Sequence, residues 1–209
     1  MPIPDSTLAG HRALHERATG ALEVCQESIS VEFKSSALWE NLKYKITKNV
    51  LAMGNLRDGG VLVVGVSQNA GRWELTGVTQ EHLATFEPDD MLAFIGRYVS
   101  PAFNLDIVRV VHDGTPFLAI QTREFAETPL VCSRNGPDGP NNEGLVPGGV
   151  YIRLANPPQT TRVMDAAQMQ DLLDLAAEKR ARRMLEQGRR IGYHERDIEN
   201  RLDQELGDL

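Results

Sequence analysis

Cysteine is scarce in this 209-residue chain: Cys25 and Cys132 are the only two, and they lie far apart. With no Cys-x-x-Cys pair there is no sequence case for structural zinc or a redox motif, and both read as free thiols. Aromatic residues make up 6% of the chain, too few to advertise a broad stacking platform for single strands. Positive charge is not in excess either, since the formal net charge is −7. Proteins that coat duplex non-specifically are usually basic, so a pure DNA coat is disfavoured, while a local basic patch stays open. No window approaches the ~18 apolar residues of a membrane span. The first five residues, Met1 to Asp5, carry neither the basic nor the apolar part of a secretory leader. A soluble, cytoplasmic protein with no membrane partner is expected. The Walker pattern Gly-x-x-x-x-Gly-Lys-Ser/Thr is also missing, so no nucleotide site is expected.

Hydrophobic residues make up 41% of the chain, enough for the core of one domain with appendages. Residues 7–24 suggest a helix through Leu8, Leu14 and Leu22. Residues 29–35 alternate, with Ile29, Val31 and Phe33 on one side and Ser30, Glu32 and Lys34 on the other, as in a half-buried strand. Residues 38–56 place Leu38, Leu42, Ile46, Val50 and Met53 at helical spacing, with Lys43, Lys45 and Lys48 off that stripe. A turn at Asp58-Gly59-Gly60 leads into the apolar run Val61 to Val66, a strand buried on both faces. Trp73 to Thr76 reads as a short return strand and residues 89–99 as a helix. Residues 104–112 and 115–122 flank Asp113-Gly114 as a hairpin. Residues 129–133 and 149–154 are two further strands, separated by a Gly/Pro/Asn-rich loop. A helix over 165–187, a break at Gly188 to Tyr193 and a charged helix over 194–206 follow. The fold class is α+β, with a mixed sheet of about six strands, flanking helices and a C-terminal helical extension. The expected division is an N-terminal helical segment (1–24), a central domain (25–178) and a charged tail (179–209).

Glu32 and Lys34 stand two apart on a strand and therefore share a face. A carboxylate beside an ammonium can hold a divalent cation and a phosphate together, with Glu27 as a second metal ligand. The alternative is a plain ion pair on the polar side of an edge strand.

Several ordered motifs extend this picture. Glu27-Ser28-x-x-Val31-Glu32-Phe33-Lys34 is followed by Asn55-x-x-x-Gly59-Gly60-Val61-Leu62-Val63-Val64-Gly65-Val66. Leu75-Thr76-Gly77-Val78 comes next, and then Gly148-Gly149-Val150-Tyr151-Ile152-Arg153. Together they resemble the Schlafen-type Alba-like domain, in a prokaryotic or phage stand-alone form. The resemblance implies binding of RNA or DNA. In nuclease members it further implies cleavage of structured RNA with Mg2+ or Mn2+ held by three acids, two of which match Glu27 and Glu32, with Lys34 beside them. The third acid normally follows the buried strand, where this chain has Ser67 and Gln68; Asp58 and Glu74 are the nearby carboxylates. Gly59 and Gly60 are expected to form a tight turn with positive φ. Asn55 is expected to cap or bridge that turn, and Arg153 to reach a phosphate.

Lys179, Arg180, Arg182, Arg183, Arg189 and Arg190 form the strongest positive run. They suit either a phosphate backbone or a solvated helix face paired with Glu178 and Glu186. Ile198, Leu202 and Leu206 make a narrow stripe in residues 194–209, expected to contact a second copy or a protein partner. Three functions remain: a nucleic-acid-binding module (a regulator or a defence component), a metal-dependent endoribonuclease with a non-standard third acid, and a scaffold for oligomerisation.

Overall fold

The computed structural model describes residues 5–137 and 143–190. The expected contact surface at 194–209 lies outside them. The apolar run after Gly59 becomes a central strand, Gly60–Val64, all of it buried. Numbered in chain order, α1 is Asp5–Val24, β1 is Val31–Lys34, α2 is Trp39–Gly54 and β2 is that central strand. β1 lies parallel to β2, with Glu32 beside Leu62 and Lys34 beside Val64. The return strands are β3 (Val66–Asn69) and β4 (Arg72–Leu75), followed by the short helix α3 (Gln80–Leu83), α4 (Pro88–Ile95) and β5 (Val99–Ser100). β6 (Leu105–His112) and β7 (Thr115–Thr122) form the expected hairpin around Asp113-Gly114, and β7 pairs antiparallel with β2. The main sheet has the order β1-β2-β7-β6. The remaining elements are β8 (Val131–Cys132), β9 (Tyr151–Ala155), β10 (Pro158–Arg162) and α5 (Ala166–Arg190).

Alternation along the strands divides the interior into two cores. Phe33, Val61, Val63, Phe117 and Ala119 face α1, which buries Leu14, Ala18, Ala21 and Leu22 at helical spacing. Leu62, Val64, Leu118 and Ile120 face the opposite way, against Trp39, Leu42, Ile46 and Val50 of α2. The N-terminal helical segment is thus one wall of the domain. Glu32 and Lys34 lie on the α2 side of β1, because their strand partners Leu62 and Val64 do.

The architecture is α+β with a mixed sheet, as expected. Four strands form the main sheet, and the others form two-stranded pairs: β3 with β4, β5 with β8 and β9 with β10. Two boundaries differ from the sequence reading. The helix expected over 89–99 ends at Ile95, and Val99 enters β5. The break expected over Gly188 to Tyr193 does not begin at Gly188, since α5 runs on to Arg190; a glycine inside a helix costs only about 1 kcal/mol. Residues 191–193 lie outside the described residues. Among the described residues, no helix is long and apolar enough to cross a membrane.

Candidate nucleic-acid interface

The Glu32 side chain is the centre of a buried ionic group. One carboxylate oxygen accepts from Lys34 and the other from Arg153. The Arg153 side chain has no exposed surface. Its remaining donors reach the backbone oxygens of Ile29 (3.2 Å), Ser28 (2.9 Å) and Val31 (3.3 Å), and the Thr160 hydroxyl at 3.3 Å. The fork therefore ties β9 to the segment entering β1. Thr160 on β10 donates to Asn49 Oδ1 at 2.7 Å, and Asn49 donates to the Lys45 carbonyl at 3.1 Å. A continuous chain of hydrogen bonds thus links β1, β9, β10 and α2. Leaving a buried member of such a group without its partner is costly.

Glu27 stands next to this group. It is half-buried, and one of its carboxylate oxygens accepts the Phe33 N–H at 2.9 Å. Burial pushes its carboxyl above the usual range, and the Glu32 charge pushes the same way. The Phe33 N–H, Lys34 and Arg153 oppose that rise without cancelling it.

Outside Glu32 the surface opens into a cleft of about 340 Å3. Lys34 comes from β1, Lys45, Lys48 and Asn49 from one face of α2, and Gln159 and Thr160 from β10; Glu143 reaches in from the long loop. Among the described residues, no aromatic side chain lines it. Three ammonium groups from two elements, with amide and hydroxyl donors between them, can hold oxyanions by charge and hydrogen bonding.

Of the residues expected to carry function, Glu27, Glu32 and Lys34 are brought together. Arg153 is at the same place but inside the protein. The expectation that it reaches a phosphate fails here, because its donors are spent on protein oxygens. The basic run of α5 lies elsewhere and is largely paired. Lys179 meets Glu124, Arg182 meets Glu178, which also binds Arg57, and Arg183 meets Glu127. Arg180 is exposed. At the missing third acid, the Ser67 hydroxyl lies 3.1 Å from that of Thr76, and Gln68 is exposed. Glu74 accepts from Asn69, and the Asp58 carbonyl accepts from Arg17. Among the described residues, no group of three or more His, Cys, Asp or Glu side chains is placed to hold a metal ion.

The turn residues also differ from expectation. Positive φ falls on Asp58 and Gly59, not on Gly60. Gly60 is required for space, since an added Cβ would lie 2.6 Å from Met53. Asn55 is the C-cap residue of α2, where the chain enters that turn, but its side chain does not bridge the glycines. Its side chain donates to the carbonyls of Leu130 and Tyr151 and accepts the Leu130 N–H at 2.7 Å. Sequence reasoning missed Asn49, Gln159, Thr160 and Glu143 as site residues. A signal existed for α2: Lys45, Lys48 and Asn49 are spaced i, i+3 and i+4 and so share a face.

An α+β domain with a lysine-lined cleft against one strand of its main sheet is the class that fold and site define. A family model described as "Schlafen, AlbA_2" matches residues 27–160, more than half of the chain. The chain belongs to the Schlafen AlbA_2 family, which is associated with nucleic acid. The match opens on Glu27, beside the ionic group just described, and closes on Thr160, a member of it. Among solved structures, the DIP2311 protein from Corynebacterium diphtheriae is similar at 19% identity with a TM-score of 0.47. That similarity covers 74% of this chain and 30% of the other, so this chain spans under a third of its length. The N-terminal domain of a RecG-related protein from Nitrosomonas europaea is similar at 18% identity with a TM-score of 0.40, covering 58% of this chain and 82% of that one. No curated protein matches the chain.

Proposed function

We propose that this protein binds RNA or DNA through the sugar–phosphate backbone, with Lys34, Lys45 and Lys48 as the phosphate-facing cations. The observation that carries this reading is the convergence of the three lysines on one cleft with Asn49, Gln159 and Thr160. The described residues lining the cleft include no aromatic side chain on which to stack bases, so hydrogen bonds and charge at phosphate and sugar supply the affinity. The test is fluorescence anisotropy with a labelled RNA stem-loop and with duplex DNA of matched length. Lys45→Ala/Lys48→Ala should weaken binding by about tenfold or more, at about 1 kcal/mol or somewhat less for each lysine–phosphate pair removed. Unchanged affinity in that variant would refute the reading.

A second reading, metal-dependent RNA cleavage, has one observation in its favour: Glu27, Glu32 and Lys34 do meet. The donor set as arranged does not fit a resident Mg2+ or Mn2+. Both Glu32 oxygens are engaged by cationic side chains, and one Glu27 oxygen is held by Phe33. Ser67 offers a hydroxyl where a carboxylate would be needed, whereas hard cations take several oxygen ligands, carboxylates prominent among them. Binding without cleavage is therefore the function proposed. Cleavage of a stem-loop RNA with Mn2+ that is lost in Glu32→Gln would reverse that order.

A further inference from the structure

Glu143 occupies an unusual place for a carboxylate on a polar loop. Its side chain is 22% exposed and its Oε1 lies 4.0 Å from Lys45 Nζ, inside the lysine cleft. The chain around it is anchored. Leu145 is fully buried, its carbonyl accepts the Gly136 N–H at 2.9 Å, and the Tyr151 hydroxyl holds both Gly144 and Val146. Glu143 itself has φ +54, a left-handed conformation uncommon for a residue other than glycine. The carboxylate is thus held among the cations.

This placement matters for what can bind. Lys34 is paired with Glu32 and Lys45 with Glu143. Lys48 has no ion-pair partner among the described residues and shares the cleft. A phosphate that engages Lys45 must displace the Glu143 carboxylate and then face its charge. We propose that Glu143 is an internal competitor for phosphate, a residue that sets the affinity of the lysine cleft for a phosphate backbone. This rests on the reading of the cleft as the nucleic-acid site.

The experiment measures anisotropy of a labelled RNA stem-loop with wild type, Glu143→Gln, Glu87→Gln and Lys45→Ala/Lys48→Ala. Glu87 is the N-cap residue of α4, makes no side-chain cap bond and lies outside the cleft, so its variant controls for net charge alone. Glu143→Gln should bind about two- to fivefold tighter, the size expected for releasing one partly exposed ion pair. Glu87→Gln should match wild type. If Glu143→Gln binds no tighter while the lysine variant is weakened, the role of Glu143 is overturned and the cleft reading stands. An equal gain in Glu87→Gln overturns it too. If the lysine variant binds like wild type, the cleft reading fails and the inference falls with it.

Discussion

At the residue scale, the ionic group around Glu32 explains why an arginine is buried in this domain. Arg153 follows Tyr151 by two positions on β9, and Tyr151 is 1% exposed. Strand periodicity therefore sends Arg153 inward as well, a signal available in the sequence that the phosphate reading overlooked. Its partner was not legible, because Glu32 lies 121 residues away. Arg153→Met should leave the Glu32 charge without its buried partner and cost about 3–5 kcal/mol, measured by urea denaturation. Arg153→Lys should recover only part of that loss, because an ammonium cannot reproduce the guanidinium fork. A loss below about 1 kcal/mol, the size of an exposed pair, would show that the fork is not structural. Glu27 makes a pH-dependent prediction. Burial raises its carboxyl, so the folded chain holds that proton to higher pH than the unfolded chain does. The stability it contributes is complete below the ordinary carboxylate value and is lost as pH rises through the folded one. Glu27→Gln keeps an acceptor for the Phe33 N–H and removes this titration. Its stability should fall less than wild type across that window, and parallel pH curves would contradict the assignment.

At the scale of elements, legibility followed periodicity. β2, α2 and the β6–β7 hairpin were readable because each carries a strong apolar pattern or a turn signal. β10 was not, because Asn156-Pro157-Pro158 reads as a loop. A proline can nevertheless open a strand, where its missing N–H is tolerated, and Thr160 then enters the site from that unrecognised strand. The split of the expected six-stranded sheet into four strands plus pairs depends on which edges meet, which local pattern does not encode. The turn into β2 shows the same contrast between residue type and cause. Both glycines were expected to need positive φ, yet only Gly59 does. An added Cβ there would lie 2.0 Å from the Thr122 carbonyl oxygen at φ +64. Gly59→Ala should therefore cost about 2–4 kcal/mol, combining left-handed strain with a backbone clash. A thermal midpoint equal to wild type would contradict that.

At the scale of the whole molecule, two cores on either side of one sheet fix β1 with its polar face toward α2, and that places three lysines in one cleft. The basic residues of α5 looked like the stronger candidate in sequence. In the structure, Lys179 and Arg183 pair with Glu124 and Glu127, and Glu178 pairs with Arg57, so these contacts fasten the helix to the domain, while Arg182 pairs with Glu178 within the helix. Charge density along a sequence says little about which cations remain available, since neutralising carboxylates such as Glu124 and Glu127 can come from outside the helix. The short α2 trio, diluted by helical spacing, supplies two of the three cleft lysines instead. The most direct test of the central claim is the salt dependence of stem-loop RNA binding in wild type and in Lys45→Ala/Lys48→Ala. Each phosphate deprived of its lysine should make the plot of log affinity against log salt shallower by about 0.7–0.9, so the double variant should be shallower by about 1.4–1.8. Identical slopes for the two proteins would contradict the assignment of these lysines to the phosphate backbone.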